Sequence, residues 1–471
     1  MKKLLILLLA LLILLTPLTS CKKGEETDDG SVSTSGDGGA MTESVLPDMD
    51  YGGRTVTLLG LTGNTMIAGT DDDAQLISES LAKRTAYVQD RYNVVMELAA
   101  VPDGQDYSAL SNSYLSGLRS YDIVAPHPTK FIAAMMTSGM MQDLKDVDYI
   151  DTSKPWWNQS QAKNFTVNGK LFFGVSDFNL NKRGMSVTLI NRTLYDNMQL
   201  EKDLYDVIFD GEWTVEYMQQ LALASYDDSL AEPKYGYAIN TNGIYGFYFS
   251  CGGTLLQPDN EGEYYFKYDV DKTQSIVEAV YDLVNGPQTL QEAYYNSGFA
   301  TSKTWTSFKA ERIMMMGFDL GSFATLLKDV TFETAFAPSA KLNADDDYRI
   351  ICGSGFVGIP NDATDISCSA LITEAYSEHS YYNFKEDYLD NYMAYRVSAD
   401  DNDRKVLEII LDNTFYDMGM TFADSGRSAA LANKLLYTVI VEDISRNCSS
   451  YIANNEEAIR KDFDKILSEI Y

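Results

Sequence analysis

The chain has 471 residues, 45% of them hydrophobic and 22% charged, a globular composition with room for about two to four domains. Asp and Glu outnumber Lys and Arg by 68 to 37, a net charge of −31, which excludes a nucleic-acid binder built on a basic face and disfavours adsorption to anionic lipid through protein charge. His127 and His379 are the only histidines, so a multi-histidine metal site is excluded and a Ser-His-Asp triad has few bases to choose from.

Residues 1–20 carry Lys2 and Lys3, then an apolar run from Leu4 to Leu15, then small residues up to Cys21. A basic start, a short apolar stretch and small residues describe an export signal rather than part of the fold. The ending Leu18-Thr19-Ser20-Cys21 resembles the lipobox of bacterial lipoproteins, which implies cleavage before Cys21 and lipidation of that cysteine. Residues 22–45 are rich in Gly, Ser, Thr and Asp and bury almost nothing, so 21–50 reads as lipid anchor and flexible tether. The folded sequence is expected to start near Tyr51. Cys251, Cys352, Cys368 and Cys448 are sparse for a disulfide framework and lack zinc spacing, and read as buried thiols.

From there, short apolar runs alternate with helical patterns. Strands are expected at 54–60, 94–98, 121–125, 170–174 and 186–190, and helices at 74–91, 129–141, 214–225, 274–284, 305–311 and 325–329. The C-terminal part reads as helical over 404–412, 433–445 and 455–471. Strand-helix alternation predicts α/β layers with mainly parallel sheets.

The order YGGRTVTLLG, AKRTAYVQDRYNVVMEL, YDIVAPHPTKFIAAMMTSGMMQDLKDVDYID, KPWWNQ, VNGKLFFGVSDFNL, TLINRTLYDNMQ and LYDVIFDGEWTVEYM resembles extracellular solute-binding proteins of ABC importers, especially the sugar-binding family. Three short steps carry the resemblance: Gly139 to Leu144 closing an early helix, Asn191 to Leu194 with Arg192 where Lys is usual, and Gly211-Glu212-Trp213-Thr214 before a helix. It spans about residues 50–415. It implies an α/β, two-lobed periplasmic-binding-protein-like fold of type II, with a hinge between the lobes and a helical C-terminus. Lobe one is expected at 51–178 and 345–412, and lobe two at 179–344 and 413–471. The implied activity is capture of a carbohydrate, an oligosaccharide by preference, between the lobes for an ABC permease. The implied place is the outer face of the bacterial cytoplasmic membrane, as a lipid-anchored monomer without cofactor, metal or catalytic residues.

Sugar recognition needs aromatic faces for C–H-rich rings, and carboxylates or amides for hydroxyls. Tyr245 and Phe247, in the glycine-bracketed run Asn242 to Phe249, are a candidate wall; the alternative is burial in the core. Trp305 opens an amphipathic helix that would reach the ligand or pack inward. Asp319 and Ser322 follow an apolar strand, where ligands of open α/β sheets sit, or else form a capping turn. His127 stands just past the 121–125 strand and either binds a hydroxyl or ties down its loop. Asp177 lies near the expected first crossing between lobes. Trp156 and Trp157 read as loop anchors, Trp213 as structural with Thr214 as helix cap, and His379 as exposed on a polar helix. The triplets Asp71–Asp73 and Asp345–Asp347 match no calcium loop and read as solvated turns.

Three other readings compete. A peptide-binding transporter protein shares the fold and differs in pocket detail. A lipoprotein glycoside hydrolase needs a carboxylate pair at defined separation, for which no signature appears. A surface glycan-binding lipoprotein feeding an outer-membrane transporter would be largely helical, against the strand-helix alternation here.

Overall fold

The computed structural model describes residues 44–62, 75–127, 129–179, 185–259, 263–293, 299–320, 327, 330–353, 355–384, 401–423 and 428–470. The export segment, Cys21, most of the tether, the Asp71–Asp73 triplet, Ser322 and most of the expected 325–329 helix lie outside the described residues.

Arg54–Leu61 forms β1, in which Val56, Leu58 and Leu59 are all buried. Apolar side chains on both faces suit a central strand of a parallel sheet. Helix α1 (Gln75–Tyr92), β2 (Val94–Val101), helix α2 (Asp106–Ser116) and β3 (Ile123–Val124) follow. β2 and β3 flank β1 and run parallel to it, with Arg54 opposite Val94 and Leu58 opposite Ile123. β2 is the edge: buried Val94 and Met96 alternate with exposed Val95 and Glu97. The expected strand 170–174 is reduced to β4 (Gly174–Val175), because Val167 to Lys170 closes a tight turn instead.

The chain then enters a second sheet. Its strands are β5 (Ser186–Asn191), β6 (Tyr235–Asn240), β9 (Thr289–Glu292), β10 (Ile313–Asp319) and β11 (Thr334–Pro338), with the hairpin β7 (Leu256–Pro258) and β8 (Tyr264–Phe266) apart from it. The order is β11-β5-β10-β6-β9. β5 runs antiparallel to both neighbours while β10, β6 and β9 are mutually parallel, so this sheet is mixed rather than mainly parallel. Helices α3 (Val215–Ser225), α4 (Tyr245–Ser250), α5 (Val270–Asn285) and α6 (Lys303–Lys309) cover it. In α5 the buried residues Thr273, Ile276, Val277, Val280, Leu283 and Val284 repeat at helical spacing and face inward. α3 lies so close to β6 that a Cβ at Gly236 would sit 2.0 Å from the Ala222 carbonyl oxygen, which explains a glycine there.

Thr214 caps α3, its hydroxyl accepting from the Tyr217 amide at 3.2 Å. Replacing Thr214 with alanine should cost about 1 kcal/mol, read as a lower urea midpoint with unchanged slope.

The path returns through β12 (Ile350–Ile351) and β13 (Phe356–Val357). β13 pairs antiparallel with β4, and Gly358 bridges Val124, so this stretch extends the first sheet. Helix α7 (Ile366–His379) packs on α1, with Arg54 ion-paired to Asp365 at 2.9 Å. Helix α8 (Asp401–Asp412) packs on β11 of the second sheet, and the Tyr205 hydroxyl donates to Asp403. Residues 401–412 therefore pack on the second sheet, although their sequence position suggested lobe one. β14 (Thr414–Phe415) pairs with β12. The long helix α9 (Ser449–Glu469) lies on β8, with the Phe463 ring 5.2 Å from Phe266.

Of the continuous helix expected at 433–445, residues 433–434 form a turn and 435–442 are helical, with a π-helical stretch at Tyr437–Glu442. The run Thr438-Val439-Ile440-Val441 is β-branched throughout, which disfavours a regular α-helix. At the other end, the folded body begins earlier than Tyr51. The Ser44 hydroxyl and Val45 amide donate to buried Glu378, and Arg91 donates to the Leu46 carbonyl. All four cysteines of the body are buried and none is in a disulfide.

Candidate functional site at the lobe crossing

The loop after Pro155 carries two tryptophans that are only 3% exposed each. Both indole N–H groups donate to one carboxylate, Glu374 on α7, at 2.5 Å from Trp156 and 2.9 Å from Trp157. The Asp151 amide donates to the same group at 2.7 Å. Glu374 is fully buried, and desolvation pushes its carboxyl up to about 7 against the pull of these donors. The tryptophans are thus loop anchors, as their sequence context suggests.

That anchored loop sets the next segment. The Trp156 carbonyl accepts from the Asp177 amide at 2.9 Å, and Trp157 bridges Ser176. Asp177 is half-buried on the turn that leaves the first lobe. Arg84 of α1 is buried behind it. Its guanidinium donates to the Phe178 carbonyl at 3.2 Å and to the Ser380 hydroxyl at 2.7 Å, and lies over the Tyr376 and Phe384 rings. Burial lowers its pKa to about 10, with the charges of Tyr376 and Asp177 acting the other way. One arginine therefore staples the Asp177 turn to the π-helical turn Ser380–Phe384 that ends α7.

On the second lobe, Asp319 ends β10 opposite Ser186, the first residue of β5. The start of α4 meets the same serine: a Cβ at Gly246 would lie 3.0 Å from the Ser186 oxygen. Asp319 and half-buried Tyr245 are thus brought to one end of the sheet, and half-buried Phe318 packs at a tilt against Phe299 there, with ring centroids 4.5 Å apart. Of the Asp319 side chain and of Ser322 nothing is described.

Other sequence candidates point elsewhere. Phe247 is 9% exposed and packs edge-on to Tyr237 in the core. Trp305 is 2% exposed, held by the Ser302 cap between Phe299 and Phe308. His127 is half-buried: its amide donates to Asp106, its Nδ1 accepts from the Thr129 amide, and its Nε2 lies 3.4 Å from Asp103. His379 is not exposed on a polar face. Its ring stacks obliquely on Tyr87 at 4.7 Å, and burial lowers its pKa to about 4. α7 is wedged between α1 and the tryptophan loop, so even its polar residues are covered. Asp346 of the acidic triplet closes its own turn by accepting from Asn343. Among the described residues, no group of three His, Cys, Asp or Glu is placed to hold a metal ion, and no helix is long and apolar enough to cross a membrane.

Residues that sequence reasoning missed are Arg84, Glu374, Tyr381 and Tyr382. The stretch AYSEHSYYN shows no periodicity that sets Tyr381 and Tyr382 apart, and only the packing of α7 brings them, with Glu374 and with Arg84 of α1, beside Trp156 and Phe178.

No family model and no curated protein matches this chain. Solved structures do. An ABC substrate-binding protein of Listeria monocytogenes in complex with cycloalternan aligns with a TM-score of 0.55 at 13% identity, over 88% of this chain and 100% of its own. The cyclic α-maltosyl-1,6-maltose binding protein of Arthrobacter globiformis aligns at 0.61 and 13%, over 88% and 99%. The GacH receptor of Streptomyces glaucescens, solved with acarbose, aligns at 0.58 and 14%, over 89% and 100%. Together with the two sheets, these likenesses show the fold: a two-lobed, periplasmic-binding-protein-like α/β protein with a helical C-terminus.

Proposed function

We propose that this protein is the substrate-binding component of an ABC importer and captures a carbohydrate, an oligosaccharide by preference, where its two lobes meet. The observation that carries the reading is the site at the crossing. A carboxylate, Asp177, and half-buried aromatic rings stand where one lobe hands the chain to the other, on a fold whose solved neighbours include proteins crystallised with cycloalternan, acarbose and maltose. Rings and carboxylates are what saccharide faces and hydroxyls require. We place lobe one at 44–179 with 355–384, and lobe two at 185–352 with 401–470. Lipidation at Cys21 would hold a monomer at the outer face of the cytoplasmic membrane beside its permease, and binding needs no cofactor or catalytic residue.

A thermal-shift screen of the full chain tests this, with maltose, maltotriose, raffinose and tagatose beside di- and tripeptides and amino acids. A saccharide that binds only the folded state adds about 2.7 kcal/mol at a hundredfold excess over its Kd. The expected result is a saturable rise in Tm with one saccharide group, and the sugar recovered unchanged. A rise with peptides alone replaces the ligand class, turnover of the sugar makes the protein a hydrolase, and silence across the panel removes the reading.

A further inference from the structure

α7 does not end in an ordinary cap. It runs into one π-helical turn, Ser380–Phe384, a wider turn that displaces side chains from the α-helical stripe. The two residues so displaced are Tyr381 and Tyr382. Both are half-buried, as is Asn383, while Ser380 and Phe384 at the ends of the turn are buried, so the rings rest on the core with one side left accessible. The rings stand edge to face, 4.9 Å apart at 85°, and each lies 6.4 Å from the Trp156 ring. Burial, with smaller contributions from Tyr382 and the charge of Asp177, raises the Tyr381 pKa.

Every support of this pair is rigid. Trp156 is locked by Glu374, the turn is locked at Ser380 by Arg84, and Arg84 also locks the Phe178 carbonyl beside Asp177. Two half-buried rings beside the turn that carries Asp177, held by buried charged groups, are costly to build for packing alone. Buried Phe in both positions would serve the core as well. The arrangement fits a flat C–H-rich ligand face on the rings and vicinal hydroxyls on the carboxylate.

We propose that Tyr381 and Tyr382, with Asp177, form a saccharide-stacking subsite on the first lobe, beside the turn that crosses to the second. The proposal rests on the carbohydrate reading above and adds to it which residues of that lobe contact the sugar. A ring stacked here would touch the crossing itself, so occupancy of the subsite is coupled to the geometry between the lobes.

Isothermal titration of the full chain with the saccharide that gives the largest thermal shift in the panel tests it, comparing wild type with Tyr381→Ala, Tyr382→Ala, Tyr382→Phe and Asp177→Asn. Loss of one stacked ring should weaken binding about tenfold, and Asp177→Asn by a similar factor. Tyr382→Phe keeps the ring and should stay within about threefold of wild type, which separates stacking from misfolding. Saccharide quenching or enhancement of Trp156 emission should be lost in the alanine variants. Wild-type binding with both alanine variants within about twofold of it overturns the subsite and leaves the carbohydrate reading intact. Absence of wild-type binding to every saccharide in the panel overturns both.

Discussion

Replacing Arg84 with alanine is expected to be the most damaging single change in the first lobe, removing about 3–5 kcal/mol of stability. The side chain is 1% exposed and sits between two aromatic rings, at 4.9 Å from the Tyr376 centroid and 5.4 Å from that of Phe384. Truncation leaves a cavity under both rings and removes the donors to the Phe178 carbonyl and the Ser380 hydroxyl, both in the interior. It also takes a positive charge from behind Asp177. Arg84→Met restores most of the volume without charge or donors, so it should cost less, about 1–3 kcal/mol. Urea denaturation of the two variants checks the order. A loss below about 1 kcal/mol for the alanine variant would mean that the staple is not a major support of this turn.

The second large effect is a pH dependence that wild type conceals. Glu374 ionises at 4.5 in the unfolded chain but near 7 in the folded one. Its contribution to stability is therefore fully present below pH 4.5 and is lost as pH rises through 7, a change of about 3 kcal/mol. His379 on the same helix has the opposite sense. Its folded pKa of about 4 lies below the unfolded 6.5, so its contribution is present above pH 6.5 and is lost as pH falls through 4. Between about pH 4.5 and 6.5 the two slopes oppose each other. Glu374→Gln should lose a hydrogen bond at low pH, yet gain on wild type by about 3 kcal/mol as pH is raised from 4.5 to 7. His379→Phe, which keeps a ring against Tyr87, should gain on wild type as pH is lowered from 6.5 to 4. Stability curves of both variants that track wild type across this range would place the two groups in solvent-like surroundings and contradict the packing of α7.

Glu374 also shows how function and stability share residues here. Its three N–H donors come from the loop whose Trp156 carbonyl holds the Asp177 amide. A buried carboxylate is an expensive way to anchor a loop. It does, however, fix both indole rings in orientation, which apolar packing would leave freer. The neighbouring Tyr381 and Tyr382 rings are set against one of those indoles.

Much of this architecture was legible without coordinates. β1, α1, β2, α3 and α5 announce themselves through apolar spacing and caps, because local propensity and burial agree in them. The order of short motifs from YGGRTVTLLG to GEWT carried the two-lobed fold. The roles of Trp213, buried with its indole donating to the Pro338 carbonyl at 2.9 Å, and of Thr214 as cap followed from the same local logic.

Tertiary structure alone decided the rest. Whether Phe247 and Trp305 face a ligand or the core depends on which side of a helix meets the sheet, and an aromatic residue suits both. The allegiance of 401–412 depends on where the chain goes after α7, and an amphipathic helix can cover either lobe. The candidate site is the extreme case. Arg84, Trp156, Asp177 and the pair Glu374 and Tyr381 come from four separate stretches of chain, and nothing in the pattern of any one of them signals the others. The sequence by itself determined the elements and their order, which short-range spacing encodes. Which side chains meet at the crossing was decided by long-range packing, because a buried charge shows its meaning only through partners that lie far away in the chain.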